Sequence, residues 1–252
     1  MTIKLLKKQY GIVMLLDALG ASTYSDNKIR KFLAARAELN NILSHQAKQL
    51  NNTYKTNMPT THTFGDTLIV AAELNKKRRM PIQIMSNIVL MQEYLYHSLE
   101  EGILFRGAFS IGSYIEDSKS NTVMGTAISD AASWYEKSDW IGISSTPQTN
   151  SILEFHLENK CLNDPKFLHY YPVPMKNGRE IDLYTISWAG RFFIDDKKKT
   201  NHKKRFLGMI KDQTIPLGSE SKYINTKKYF NFIEDKITKD KVQAYPIDKK
   251  KT

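Results

Sequence analysis

Two aspartates and one arginine offer the chemistry in this sequence. Asp17 ends a wholly apolar run from Tyr10 to Leu16. A carboxylate placed there needs a partner, because an unpaired charge in apolar surroundings is expensive. Asp66 follows Gly65 in the turn between two strand-like arms, and Arg106 stands in a third strand-like run directly before Gly107. Each has an ordinary role: a cap or ion pair for Asp17, a turn residue for Asp66, a surface ion pair for Arg106. Together they suggest more. In a βαββ unit the end of the first strand and the following hairpin lie side by side, so both carboxylates can hold one hard cation. Such a pair is the usual protein half of a Mg²⁺ or Mn²⁺ site that meets substrate phosphates. A guanidinium suits bidentate contact with phosphate oxygens. In the turn Asp17-Ala18-Leu19-Gly20-Ala21-Ser22, small residues let the backbone approach a ligand, and the N–H groups entering the next helix favour an anion.

The elements that must position these residues alternate clearly in the first half. Tyr10–Leu16 is a strand of buried type. Lys28–Leu50 carries Ile29, Phe32, Leu33, Ile42 and Leu43 at helical spacing, and 51–59 is polar and turn-rich. Thr60–Glu73 predicts a hairpin around Gly65-Asp66. Pro81 opens a helix that Gly102 closes, Ile103–Ile115 is a strand, and Gly125 opens a short Ala-rich helix through Tyr135. The order βαββαβ predicts an α+β fold of ferredoxin-like or palm-like type, a sheet with helices on one face. Beyond residue 150, Leu168–Val173 and Leu183–Trp188 flank a Lys176-Asn177-Gly178 turn, Gly218–Asp235 is a helix, and the last dozen residues read as frayed. The expected organisation is a catalytic domain over 1–190 and a basic C-terminal extension over 191–252.

Composition excludes several classes. At 252 residues, 41% hydrophobic and 25% charged, the chain is globular. No apolar run approaches the roughly 18 residues of a membrane span. Asp17 cuts short the N-terminal stretch that imitates a secretory signal. One cysteine, Cys161, excludes an internal disulfide, fits a reducing cytoplasm, and reads as a packed small residue. The six histidines (45, 62, 97, 156, 169, 202) lack zinc spacing, and no Ser/His/Asp or Cys/His set offers a nucleophile. Trp134, Tyr135, Tyr94 and Tyr96 read as core or interface aromatics. The net charge is +11, yet residues 1–150 hold 16 Lys/Arg against 13 Asp/Glu. The excess lies in Lys197–Lys199, Lys203–Arg205 and Lys249–Lys251, with no aromatic-interleaved nucleic-acid motif beside them.

Four motifs then fall in a telling order. Asp17-x-x-Gly20, Phe64-Gly65-Asp66, Phe105-Arg106-Gly-Ala-Phe-Ser-Ile-Gly112 and Gly125-Thr-Ala-Ile-Ser-Asp-Ala-Ala resemble class III nucleotidyl cyclases in order and spacing. The wording Leu-Leu-Asp-Ala-Leu-Gly and Leu-Phe-Arg-Gly-Ala is similar to the Pycsar pyrimidine cyclases of bacterial anti-phage defence, as is Tyr171-Pro-Val-Pro-Met-Lys-Asn-Gly followed by Ile186-Ser-Trp188. The likeness covers roughly residues 8–190.

What the resemblance implies is specific. Asp17 and Asp66 would be the two metal-binding aspartates, with the backbone of Ala18 as a further metal contact. Leu19, Gly20, Ala21 and Ser22 would form the triphosphate loop, and Arg106 would touch the triphosphate. His62 stands where adenylate cyclases carry a base-reading lysine, and Ser129 and Ser133 stand where the purine enzymes carry a transition-state Asn and Arg. A smaller base reader fits a pyrimidine. The implied activity is conversion of UTP, or CTP, to the 3′,5′-cyclic monophosphate and pyrophosphate with two Mn²⁺ or Mg²⁺ ions. The implied assembly is a cytoplasmic head-to-tail homodimer with shared active sites, whose product is read by a separate effector. No membrane or nucleic-acid partner is expected. A catalytically silent nucleotide- or nucleic-acid-binding module and a purine cyclase are the competing expectations.

Overall fold

Strand β1 (Gln9–Ala18) is the spine of the molecule, because both of its faces are apolar and both are covered. Ile12, Met14, Leu16 and Ala18 point into the main core. Val13 and Leu15, on the opposite side of the pleat, join a smaller cluster with Ile69, Ala71, Tyr114, Ala127 and Ala131. The computed structural model describes residues 6–21, 24–117, 120–194, 201–211, 215 and 218–243. Ser22, Lys197–Lys199, Lys249–Lys251 and the chain beyond residue 243 lie outside them.

After β1 come helix α1 (Asp26–Tyr54), the hairpin β2 (Thr60–Phe64) and β3 (Thr67–Glu73), helix α2 (Met80–Glu100) and strand β4 (Phe105–Asp117). The sheet order β2-β3-β1-β4, antiparallel throughout, is the ferredoxin-like arrangement that the βαββαβ order predicts. Helix α1 runs into the segment expected to be loop. Its end is closed by Lys55 in a left-handed conformation (φ 55°), whose N–H donates to the Asn51 carbonyl.

One expectation is corrected. The helices do not share one face. A short strand β5 (Thr122–Met124) pairs back on β4, and Gly125 then turns the chain into α3 (Thr126–Tyr135), which covers the face opposite α1 and α2. The buried side of α3 is Ala127 and Ala131, small enough to lie against Gly112 of β4.

The second half extends the same sheet. Strand β6 (Gly142–Ser145) runs parallel to β4, and the hairpin β7 (Leu168–Pro174) and β8 (Glu180–Ile186) continues from it in the order β4-β6-β8-β7. Between them lie α4 (Pro147–His156) and α5 (Asn159–Leu162). A 3-10 turn at Ala189–Phe193 leads to α6 (His202–Lys211) and α7 (Glu220–Gln243). Helix α7 reaches eight residues past its expected end at Asp235. Its Tyr229, Phe230 and Ile233 are buried in the main core beside Trp140, Trp188 and Phe206. Among the described residues, no helix is long and apolar enough to cross a membrane.

His169 of β7 is enclosed in this aromatic layer. Its ring stacks on Tyr229 at 5.6 Å and lies 3.1 Å from the Thr185 hydroxyl. Burial, and then the charge of Lys236, push its pKa down to about 3. The folded protein therefore keeps His169 neutral, whereas the unfolded chain takes up a proton near pH 6.5. Stability should be unaffected above that pH and should fall as the pH drops from about 6.5 towards 3. His169→Gln should remove about 2 kcal/mol of the stability lost between pH 6.5 and 4.5, read from denaturant melts. An identical pH slope in wild type and variant would contradict this.

Candidate active site

The strand register decides which side chains meet. Asp17 of β1 lies directly opposite Arg106 of β4 on one side and Thr67 of β3 on the other. Arg106 Nε and Nη2 both donate to Asp17 Oδ2, at 3.1 and 2.9 Å. Both side chains are largely buried, at 13% and 16% exposed, so removing either partner would leave the other's charge uncompensated in a poorly solvated place. Gly107, the next residue, allows this approach: a Cβ there would sit 2.5 Å from the Leu15 carbonyl.

Asp66 is brought to the same corner by the β2–β3 turn. Gly65 takes the left-handed conformation that the turn requires (φ 58°). The turn is tied on two sides: Ala18 N–H donates to the Asp66 carbonyl at 3.4 Å, and Arg36 of α1 donates to the Gly65 carbonyl at 2.6 Å. Burial pushes the Asp17 carboxyl above its usual range against the pull of Arg106, and the charges of Asp66 and Glu136 push it the same way. Each carboxylate thus sits in the field of the other.

The loop after β1 folds on Tyr24. Its N–H donates to the Ala21 carbonyl at 3.1 Å and its hydroxyl to the Leu19 carbonyl at 3.3 Å, while Gly20 takes a φ of 74°. Leu19 N–H donates to the Leu104 carbonyl at 2.8 Å, which fixes the exit of β1. A cavity of about 320 Å³ lies between this loop, α1 and the hairpin, with Ala21, Tyr24, Leu33, Gly65 and Asp66 in its wall. Of the sequence-derived residues, Asp17, Ala18, Leu19, Gly20, Ala21, Asp66 and Arg106 share this end of the sheet.

His62 is set further back. It faces Ile69 of β3, which faces Leu15, so it shares the sheet face of Asp17 but stands one side-chain step away and two strands over. Its ring is buried, with Nδ1 3.1 Å from Asn121 Oδ1 and Nε2 3.8 Å from Glu116. Ser129 and Ser133 are exposed on α3, and the Ser133 hydroxyl donates to the Asp130 carbonyl.

Two neighbours were not legible as site residues. Tyr135, read from sequence as a packing aromatic, presents its ring to the Arg106 guanidinium at 5.8 Å and donates its hydroxyl to Glu136 at 2.8 Å. Burial, the Glu136 bond and the nearby carboxylates push its pKa up to about 12. Lys176, in the β7–β8 turn, is held below its usual range first by burial and then by the charge of Arg106. Only the helix end after Gly125 and the hairpin return bring these residues here, and neither juxtaposition has a local signature.

The donor set suits a hard cation. Among the described residues no group of three or more His, Cys, Asp or Glu could hold a metal. Two mutually repelling carboxylates are, however, the oxygen donors that Mg²⁺ or Mn²⁺ takes when substrate phosphates and water supply the rest.

No family model matches this chain, and no curated protein does. Solved structures to which it is similar include the adenylyl cyclase CyaB from P. aeruginosa, at 14% identity over 73% of this chain and 96% of that one, TM-score 0.39. Another is the catalytic core of a rhodopsin-guanylyl cyclase with converted specificity in complex with ATPalphaS, at 11% identity over 73% and 98%, TM-score 0.48. A third is the guanylyl cyclase Cya2, at 10% identity over 72% and 92%, TM-score 0.42. With TM-scores below 0.5, none of these likenesses carries the functional reading, which rests on the residues.

The Asp17–Arg106 geometry has a measurable consequence. In a double-mutant cycle of Asp17→Asn and Arg106→Ala, denaturant melts should give a coupling of about 1–2 kcal/mol, because either single change strands a largely buried charge. Additive effects would show that the pair does not form.

Proposed function

We propose that the protein is a class III-type nucleotide cyclase that converts UTP, or CTP, to the 3′,5′-cyclic monophosphate and pyrophosphate. The observation that carries this reading is the convergence of Asp17, Asp66 and Arg106 at the β1, β2–β3 and β4 corner. The order of the motifs around those residues supports it.

Asp17 and Asp66, with the backbone of Ala18, would hold Mn²⁺ or Mg²⁺. When bound, such ions lower the pKa of the ribose 3′-hydroxyl and neutralise charge on the triphosphate. The Leu19–Ala21 loop and Ser22 would receive the triphosphate. Arg106 would bind phosphate oxygens on the leaving side and so stabilise the charge that grows as the α-phosphorus gains a bond to the 3′-oxygen and loses its bond to pyrophosphate. His62 in place of a base-reading lysine would favour a pyrimidine, its ring lying buried between Asn121 and Glu116 until a base is met. By its resemblance the enzyme would act as a homodimer in the cytoplasm, making a messenger that a separate effector reads in anti-phage defence.

The test is purified protein with Mn²⁺ and each of the four nucleoside triphosphates, products separated by chromatography. The expected result is cyclic UMP or cyclic CMP in excess over the purine products. A purine cyclic nucleotide as the main product would overturn the substrate assignment, and no cyclic product from any of the four would overturn the activity. Asp66→Ala should lower turnover at least about 100-fold while the protein still melts cooperatively. A folded variant with full activity would remove Asp66 from the site.

A further inference from the structure

Arg106 spends two of its N–H groups on one oxygen of Asp17. That is an unusual commitment for a residue expected to hold phosphate, and it sets up a competition. A divalent cation that approaches Asp17 Oδ2 meets a guanidinium already bonded there, and one that takes Oδ1 still faces the same positive charge across the carboxylate. The two cations repel across a largely buried site, where screening by salt is weak.

The Tyr135 ring lies on one side of Arg106 at 5.8 Å, and the positive charge of Lys176 is close enough for the two residues to repel. If Arg106 leaves Asp17, its charge needs another anion: Glu136, bonded to Tyr135, and Asp66 each offer a single charge nearby, whereas a polyphosphate offers several on one ligand. We propose that Arg106 couples the two ligands of the site: it holds Asp17 against a divalent cation until a polyphosphate draws it away, so that cation and polyphosphate bind cooperatively. The proposal rests on the assignment of Asp17 and Asp66 as cation ligands and adds a regulatory role to a residue otherwise described only as a phosphate contact. Because coupling between two ligands is reciprocal, it also means that a bound cation strengthens the grip of Arg106 on phosphate.

The probe is Mn²⁺ alone, with free ion followed by electron paramagnetic resonance, so that chelation by polyphosphate in solution does not enter. Wild type, Arg106→Gln and Asp17→Asn are compared, each first shown to melt cooperatively. Arg106→Gln keeps a polar side chain beside Asp17 and removes the charge. It should bind Mn²⁺ about tenfold more tightly than wild type, a fold-change within the usual range for coupled sites. It should also bind inorganic tripolyphosphate more weakly in calorimetry. Unchanged or weaker Mn²⁺ binding by Arg106→Gln would overturn the coupling. If Asp17→Asn leaves Mn²⁺ binding unchanged in every background, the cation site itself is wrong, which is a different failure. Should Arg106→Gln not fold, Arg106→Lys keeps the charge but cannot fork onto Oδ2, and it should show the same direction with a smaller change. No change there would likewise overturn the proposal.

Discussion

The charge of Asp17 is the constraint around which this molecule is arranged. It sits at the end of a strand whose other side chains are apolar on both faces, and an isolated carboxylate in that position would shift its pKa and lose its charge. Arg106 opposes that outcome from the adjacent strand, with both bonds on one oxygen. The pair forms because β1 and β4 run in a register that sets Asp17 against Arg106, and because Gly107 lets the two backbones approach. The hairpin that delivers Asp66 is tied to the same strand end. A second carboxylate is therefore held in the field of the first, and it adds to the cost that burial already imposes.

The rest of the fold serves this corner. Helices α1 and α2 cover one face of the sheet, and Arg36 of α1 fixes the turn that carries Gly65 and Asp66. Helix α3 covers the other face and ends with Tyr135 against Arg106, with Glu136 bonded to the Tyr135 hydroxyl. The β7–β8 turn then brings Lys176 within reach of the same charges. A site drawn from five separate chain segments can be rigid only if the sheet between them is, and the aromatic layer of Trp140, Trp188 and Tyr229 closes its far end.

Much of this was legible in the sequence, and the remainder fails for identifiable reasons. The run Tyr10–Leu16, the hairpin around Gly65-Asp66 and the helical spacing before Gly102 are strong local signals, and they are enough to predict the ferredoxin-like order. Strand β6 is four residues without alternation, so nothing local marks it. Helix α4 did carry a signature: Thr146 caps it, accepting from Thr149 N–H, and Pro147 opens its first turn. The one-face expectation overlooked what β1 itself says. A strand apolar at both parities needs cover on both sides, and α3 supplies it. At the site, Asp17, Asp66 and Arg106 are legible as residue types, but the bond between Asp17 and Arg106 depends on register. Tyr135 and Lys176 reach it through tertiary contacts that no short pattern encodes.

The central claim is that Asp17 and Asp66 act on one cation rather than as two separate surface charges. The most direct test is the Mn²⁺ dissociation constant of wild type, Asp17→Asn, Asp66→Asn and the double variant, each confirmed to be folded. Shared ligation predicts that either single change weakens binding by at least about tenfold and that the double variant is little worse than the singles. Two small effects that simply add would contradict it.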